Sequence, residues 1–505
     1  MYLIKQAVAA ALVTAVATSA YAIDVSGYKT DTTVTNVYVG GSTAANIVLE
    51  QAFIHTTAAG ISAVCDATAG AIDVYSDAAD TKNVAAQLFI YCKPKAALGL
   101  PGNVALFKES TLGSVNGSKP LIAIAKANSA SANTLPFVNA NTLVDTNCTA
   151  AAAGTLAGAQ AYTFHGTCTF PTSVPAVVVT GGISDVEAPL VGTSAADVTS
   201  FLTGAPGLAV VWAVPVNKPF YRALQTGQGL ANTDVPATVP TLTHAQIAAL
   251  YSQQVTDPAQ IVGASGTPIT AAGSVLGICR REFGSGTEAS AELFWLGEGC
   301  GTSDLAIPSN DGVNVFENTS TGKIGGCLTA LDQGGTINGV AVPAAGRFAI
   351  GIVSSENGAS LFGPNPSTPA SDDVRVVAVD GALPTLENVS NGSYPFFSED
   401  VLYNIKTALY TGNPKKVWDS VKSTFGAPGF LADSNKAFVN YWGQSGDLAV
   451  PSIFGAPATI PATLASVQSS PISALSKSAG GSVNNCDPAV VFGSANTPTY
   501  QFLNH

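Results

Sequence analysis

Short apolar runs, each ending in a polar or glycine-bearing turn, recur along this chain. Val34-Thr-Asn-Val-Tyr-Val39 alternates with period two and predicts a strand. Gly40-Gly41-Ser42-Thr43 follows, and Ala44 to Phe53 predicts a helix with Ile47, Val48 and Phe53 apolar. Gln87 to Tyr91 and Asn103 to Lys108 predict two further strands, the second running into the turn Glu109 to Ser114. Pro175 to Thr180 reads as a short buried strand ending in Gly181-Gly182-Ile183-Ser184-Asp185, and Gly207 to Val216 as a long apolar one. Thr243 caps a helix to Tyr251. Val275 to Arg281 leads into Glu282-Phe283-Gly284-Ser285-Gly286-Thr287, with a helix starting at Glu288. Arg347–Val353, Val374–Val379 and Tyr394–Tyr403 predict strands, and Asn413–Phe425 a helix. Residues 127–175 read as an inserted loop region, and Val450 to Pro471 as a weakly structured connection. No internal repeat is found, and strands alternating with helices predict α/β architecture.

The turns carry the candidate chemistry. In open α/β sheets ligands sit beyond the carboxyl ends of strands, so these turns can converge on one cleft. A strand, a glycine turn and a helix start gather free N–H groups with the positive end of a helix dipole, which suits an anion. Arg281 adds a planar cation, and Asp185 can accept from a protonated ligand oxygen. Arg280 and Arg281 are adjacent on a strand, so they point to opposite faces and one of them reaches the cleft.

Composition narrows the function classes. The chain has 505 residues, 47% hydrophobic and 11% charged, enough for two or three domains. Met1 to Ala22 has Lys5, an apolar stretch and Ala20-Tyr21-Ala22, the pattern of a secretory signal peptide. No later run reaches the ~20 apolar residues of a membrane span. The formal charge of −12, or −13 once Lys5 is removed, argues against nucleic acid. The eight cysteines, with no C-x-x-C, suit disulfides in an exported compartment and imply neither metal nor other cofactor. Cys65–Cys92, Cys148–Cys168 and Cys300–Cys327 are the expected local bridges, leaving Cys279 and Cys486. The four histidines are scattered and read as structural or exposed. Trp212 and Trp295 read as core. No G-x-S-x-G elbow or P-loop is present, and nothing proposes an enzyme.

Five motifs in order carry a resemblance: Gly40-Gly41-Ser42-Thr43; Ser110-Thr-Leu-Gly113-Ser114; Ser184-Asp185-Val-Glu-Ala-Pro189-Leu190; Leu242-Thr243-His-Ala-Gln246-Ile247-Ala-Ala-Leu-Tyr251; and Arg281-Glu-Phe-Gly284-Ser285-Gly286-Thr287. Together they resemble the phosphate-specific periplasmic binding proteins of ABC transporters, within the wider type II periplasmic-binding fold. The agreement runs from about residue 34 to 300, and more loosely to Tyr403. Phe283 stands where that family has an aspartate, Ala44 where it has an aromatic residue, and two residues are inserted after Asp185. The resemblance implies a two-lobed α/β fold: residues 23–215 as lobe 1, 216–392 as lobe 2, and 393–505 as the return plus a C-terminal extension. It implies a non-enzymatic periplasmic or secreted binding protein for a tetrahedral oxyanion, phosphate first, with an ABC transporter as partner. Thr43, Ser110, Ser114, Asp185, Arg281, Ser285, Gly286 and Thr287 become the ligand-contacting residues. The alternative is a secreted structural or adhesive protein that keeps the fold with a degenerate ligand site.

Overall fold

The alternating runs assemble into one large mixed α/β sheet, with helices packed on it. The computed structural model describes residues 24–55, 64–66, 70–78, 86–149, 151–154, 162–300, 305–343, 346–357, 374–455, 463–478, 480–492 and 498–499. The expected signal peptide lies outside the described residues. In the first half of the sheet, Thr35–Gly41 runs parallel to Val104–Glu109 on one side and Gly181–Ser184 on the other. Gln87–Cys92, Ile72–Ser76 and Tyr162–His165 extend this half outward. In the second half, Leu276–Arg281 lies between Val315–Asn318 and Phe348–Gly351, parallel to both.

Two strands join the halves. Leu202–Asn217 has 16 residues, a reach of roughly 50 Å. Its first part pairs antiparallel with Phe397–Ile405, and its end pairs with Val374–Val379 and Phe348–Gly351. Phe397–Ile405 also pairs with Gly181–Ser184. The register of the long strand shifts between Pro206 and Ala209. A proline has no N–H to give the ladder, so a shift here costs little pairing.

Three expectations are corrected. Pro175–Thr180 forms no strand and bends at Ala176; the strand is Gly181–Ser184, read above as a turn. Its glycines are needed for space: a Cβ on Gly181 would stand 2.1 Å from the Trp418 ring, and one on Gly182 1.8 Å from the Gly117 carbonyl oxygen. Residues 127–175 are more than inserted loop, because Tyr162–His165 pairs with Ile72–Ser76. Buried His165 bonds Asp73 at 2.9 Å and stacks on Tyr75 at 4.1 Å, which fixes that pairing from the side chains.

The third correction concerns sulfur. Cys65–Cys92 and Cys148–Cys168 form as expected, but the others are Cys279–Cys327 and Cys300–Cys486. Cys279 lies on the central strand of the second half and faces the buried side of helix Thr321–Gln333, among Ile324, Cys327 and Leu328. Gly277, two residues earlier on the same face, meets Leu331 of that helix. Strand-on-helix packing thus selects Cys327 for Cys279, against the shorter separation in sequence. Trp212 and Trp295 are both core residues.

Candidate functional site

Three parallel strands of the first half end side by side. Thr35–Gly41 delivers Ser42, Val104–Glu109 delivers Ser110 to Ser114, and Gly181–Ser184 delivers Asp185. The first turn requires glycine, since Gly41 has φ +112° and a Cβ there would meet the Ile183 carbonyl oxygen at 1.9 Å. That carbonyl instead accepts the Ser42 N–H at 2.9 Å.

Asp185 is the centre of the arrangement. The Ser42 hydroxyl donates to its Oδ1, and the Ser114 hydroxyl to its Oδ2 at 2.9 Å. Ser114 Oγ in turn accepts the Asp185 N–H at 3.1 Å. Burial raises the Asp185 carboxyl above its ordinary pKa, while the two hydroxyls and the charges of Arg281 and Lys108 pull it back down.

The second half brings Ser285–Gly286–Thr287 against this carboxylate. Gly286 opens the helix Gly286–Ala291, and a Cβ on it would stand 2.4 Å from both Asp185 Oδ2 and Ser114 Oγ. The Val115 N–H donates to the Gly284 carbonyl at 2.9 Å, so the halves also meet through backbone. Ser285 and Thr287 are buried in this contact, and Ser285 makes no side-chain capping bond.

Arg281 is buried with its guanidinium on its own half. It donates to the Asn318 carbonyl at 3.2 Å, the Thr319 carbonyl at 3.3 Å and Thr321 Oγ1 at 3.3 Å. It lies 3.9 Å from Glu282 and acts on Asp185 through charge. Arg280 points the other way, onto Glu288 at 2.7 Å and the Pro308 carbonyl at 3.0 Å. Phe283 does not fill the site: it is 68% exposed and its ring reaches the rim beside Gly192.

The structure thus brings together Ser114, Asp185, Ser285, Gly286 and Thr287, with Arg281 behind them. Thr43 is half-buried, and its neighbour Ser42 makes the Asp185 bond. Ser110 is joined to the group through a residue the sequence reading passed over. Lys108, 1% exposed, donates to the Gly41 carbonyl at 2.6 Å, the Ser42 carbonyl at 2.9 Å and Ser110 Oγ at 2.5 Å. Burial pulls its pKa down to about 7, against the opposing charges of Glu109, Asp185 and Asp400. Three acceptors around one nitrogen suit the ammonium, whose three N–H groups they match. A signal was available, because Val104, Leu106 and Lys108 share one face of a buried strand.

More carboxyls lie within the field of Asp185. Asp400 and Glu356 are held well above the ordinary carboxylate range by burial, and Asp447 is pushed up to about 8. Asp400 comes from the joining strand Phe397–Ile405, and neither of its oxygens has a hydrogen-bond partner among the described residues. Among those residues, no group of three or more His, Cys, Asp or Glu is placed to hold a metal ion. Nor is any helix among them long and apolar enough to cross a membrane.

No known family profile and no curated protein matches the chain. Among solved structures it is similar to one described as a phosphate ABC transporter substrate-binding protein from Clostridium perfringens, with phosphate bound. That match has 16% identity and a TM-score of 0.37, covering 80% of this chain and 98% of the other. An ABC-type phosphate transport receptor from Vibrio cholerae matches at 15% identity and TM-score 0.27, covering 48% of this chain and 79% of the other. A structure described as a possible phosphate binding protein from Planctomyces limnophilus matches at 11% identity and TM-score 0.30, over 77% and 87%. The likeness is distant and lies at the level of fold.

Proposed function

We propose that the chain is an exported, non-enzymatic solute-binding protein that closes two lobes over a tetrahedral oxyanion, phosphate first. The lobes are 23–215 and 216–392, with 393–505 returning to the first, and the joining strands act as the hinge. The observation that carries the reading is the meeting of Ser42, Ser114 and Asp185 from one half with Ser285–Gly286–Thr287 from the other. Hydroxyls and N–H groups donate to an oxyanion, Asp185 accepts from its protonated oxygen, and Arg281 and Lys108 supply positive charge. Thr43 and Ser110 stand at the edge of the same group. The partner of such a protein is the membrane component of an ABC transporter. Titration calorimetry of the mature chain with phosphate, sulfate and short organic phosphates tests the reading; no heat with any of them sinks it. Arg281→Ala is expected to abolish binding, and unchanged affinity would remove Arg281 from the site.

A second reading keeps the fold without a ligand, as a secreted structural or adhesive protein. It is favoured by one feature: both Asp185 oxygens are already bonded by the chain's own hydroxyls, within the field of three more buried carboxyls. Mass spectrometry of natively purified protein separates the two, since a retained oxyanion is expected only on the first.

A further inference from the structure

The C-terminal stretch crosses back to the cleft and holds both of its sides with consecutive residues. Asn485 is buried and grips the first half. Its backbone N–H donates to Glu187 Oε1 at 2.5 Å and its Nδ2 to Glu187 Oε2 at 2.7 Å. The same carboxamide exchanges bonds with the Glu399 backbone, accepting its N–H at 2.9 Å and donating to its carbonyl at 3.1 Å. Glu187 is two residues from Asp185, and Glu399 lies on a joining strand. Cys486, the next residue, is bonded to Cys300, which follows the helical turn Glu292–Leu296 of the second half.

The other three disulfides each stay within one half and include at least one buried cysteine. Cys486 is exposed and Cys300 half-buried. Among the described residues, the fourth bridge is therefore both the one that spans the halves and the one with no buried cysteine. Beneath it lies a small apolar seal of Val186, Val191 and Ala289, with Val115 and Leu190 packed on it. Leu190 and Gly299 face each other across the seam, where a Cβ on Gly299 would stand 2.7 Å from Leu190.

We infer that Cys300–Cys486 is a reducible strap that limits how far the cleft opens, an inference that rests on reading the seam between the halves as the binding cleft. Oxidised, the strap ties Cys300 to a residue whose neighbour is anchored on Glu187, so the Asp185 and Ser285 turns stay together. A dithiol reductant releases it. One thiolate attacks a sulfur of the bridge and forms a mixed disulfide, and the second thiol then closes on the first. The reductant leaves as its disulfide, and Cys300 and Cys486 take up its two electrons and two protons as thiols.

Limited reduction of the folded mature chain, followed by alkylation and peptide mass spectrometry, tests accessibility. Cys300 and Cys486 are expected to be labelled before the other six; simultaneous or later labelling overturns the inference. Hydrogen exchange then tests the strap. In the partly reduced protein, and in Cys300→Ser/Cys486→Ser, amides of residues 183–192 and 284–291 are expected to exchange on the order of tenfold faster. Unchanged exchange at both segments overturns it. Phosphate release by the oxidised and reduced forms is measured separately. If neither form binds phosphate while exchange still rises, the oxyanion reading falls and the strap stands.

Discussion

Gly286→Ala adds one methyl group where the halves meet. The new carbon would stand 2.4 Å from Asp185 Oδ2 and 2.4 Å from Ser114 Oγ. That is roughly 1 Å inside ordinary contact, with two oxygens at once. Both are tied down, Asp185 by Ser42 and Ser114, and Ser114 by the Asp185 backbone, so neither can turn away without losing a hydrogen bond. Relief therefore comes from parting the halves. Overpacking of this kind costs about 1–3 kcal/mol. Alanine at a helical position returns about 0.5–1 kcal/mol of it, so the expected net loss is about 1–2 kcal/mol. Urea unfolding measures it, and phosphate calorimetry is expected to show loss of binding. Ser114→Ala removes one of the two clashing oxygens. The double variant is therefore expected to show a favourable coupling of at least about 0.5 kcal/mol. If Gly286→Ala leaves both stability and affinity unchanged, or the cycle shows no coupling, the halves do not meet at this point.

Other consequences follow from the buried charges and the tight turns. Lys108→Met leaves the Gly41 and Ser42 carbonyls and Ser110 Oγ without their donor, and takes a cation from beside Asp185 and Asp400. Urea unfolding is expected to show a loss of about 3 kcal/mol, and a loss under about 0.5 kcal/mol would refute that role. Asp447 titrates near 8 in the fold against an ordinary 3.8, so its contribution is full below about 4 and is lost as pH rises toward 8. Glu356 and Asp400 are raised too and act with the same sign. The urea midpoint is expected to fall between pH 4.5 and 6.5, and Asp447→Asn to flatten that slope; an unaltered slope contradicts the assignment. Gly41→Ala is expected to reduce stability by several kcal/mol in thermal unfolding, since its φ and the Ile183 carbonyl both exclude a Cβ. A wild-type melting curve would refute that.

Much of the sheet was legible because short apolar runs bounded by polar turns mark strands buried on both faces, while Thr35–Gly41 adds a period-two alternation. Thr35–Gly41, Gln87–Cys92, Val104–Glu109 and Val374–Val379 lie within two residues of their expected limits. Gly181–Ser184 was hidden by the residue type that makes it possible. Glycine pairs signal turns, yet here they give up side chains so that Trp418 and Gly117 can press against the strand. Tyr162–His165 was hidden for a different reason: its pairing depends on Asp73 and Tyr75, far away in sequence. Within the site, order of motifs located Ser114, Asp185 and Gly286, but nothing local distinguishes Ser42 from Thr43. That choice is made by the Ile183 carbonyl, which holds the Ser42 N–H and so aims its hydroxyl at Asp185. Lys108 was readable from strand phase and was overlooked because a lysine before a polar turn looks like the start of the turn.

The buried charges also tie the site to the strands that join the halves. Asp185 sits at a strand end of the first half, whereas Asp400 lies within Phe397–Ile405, opposite the register shift at Pro206. A Cβ on Gly207 would stand 3.0 Å from the Asp400 Cβ, so this carboxyl is packed against the point where the long strand bends. Lys108 interacts through charge with both acids. A proton gained or lost at any one of the three therefore changes the cost of charge at the other two. Because desolvation dominates at Asp400, the arrangement favours its protonated form and leaves Lys108 to balance Asp185. Were the seam to open as proposed, water would reach Asp185 and remove the penalty that raises its pKa, so the open state would favour the carboxylate more strongly. In the proposed two-lobe protein, closure and proton uptake would then be linked in sign: conditions that protonate these carboxyls would favour the halves meeting, and conditions that ionise them would favour their separation.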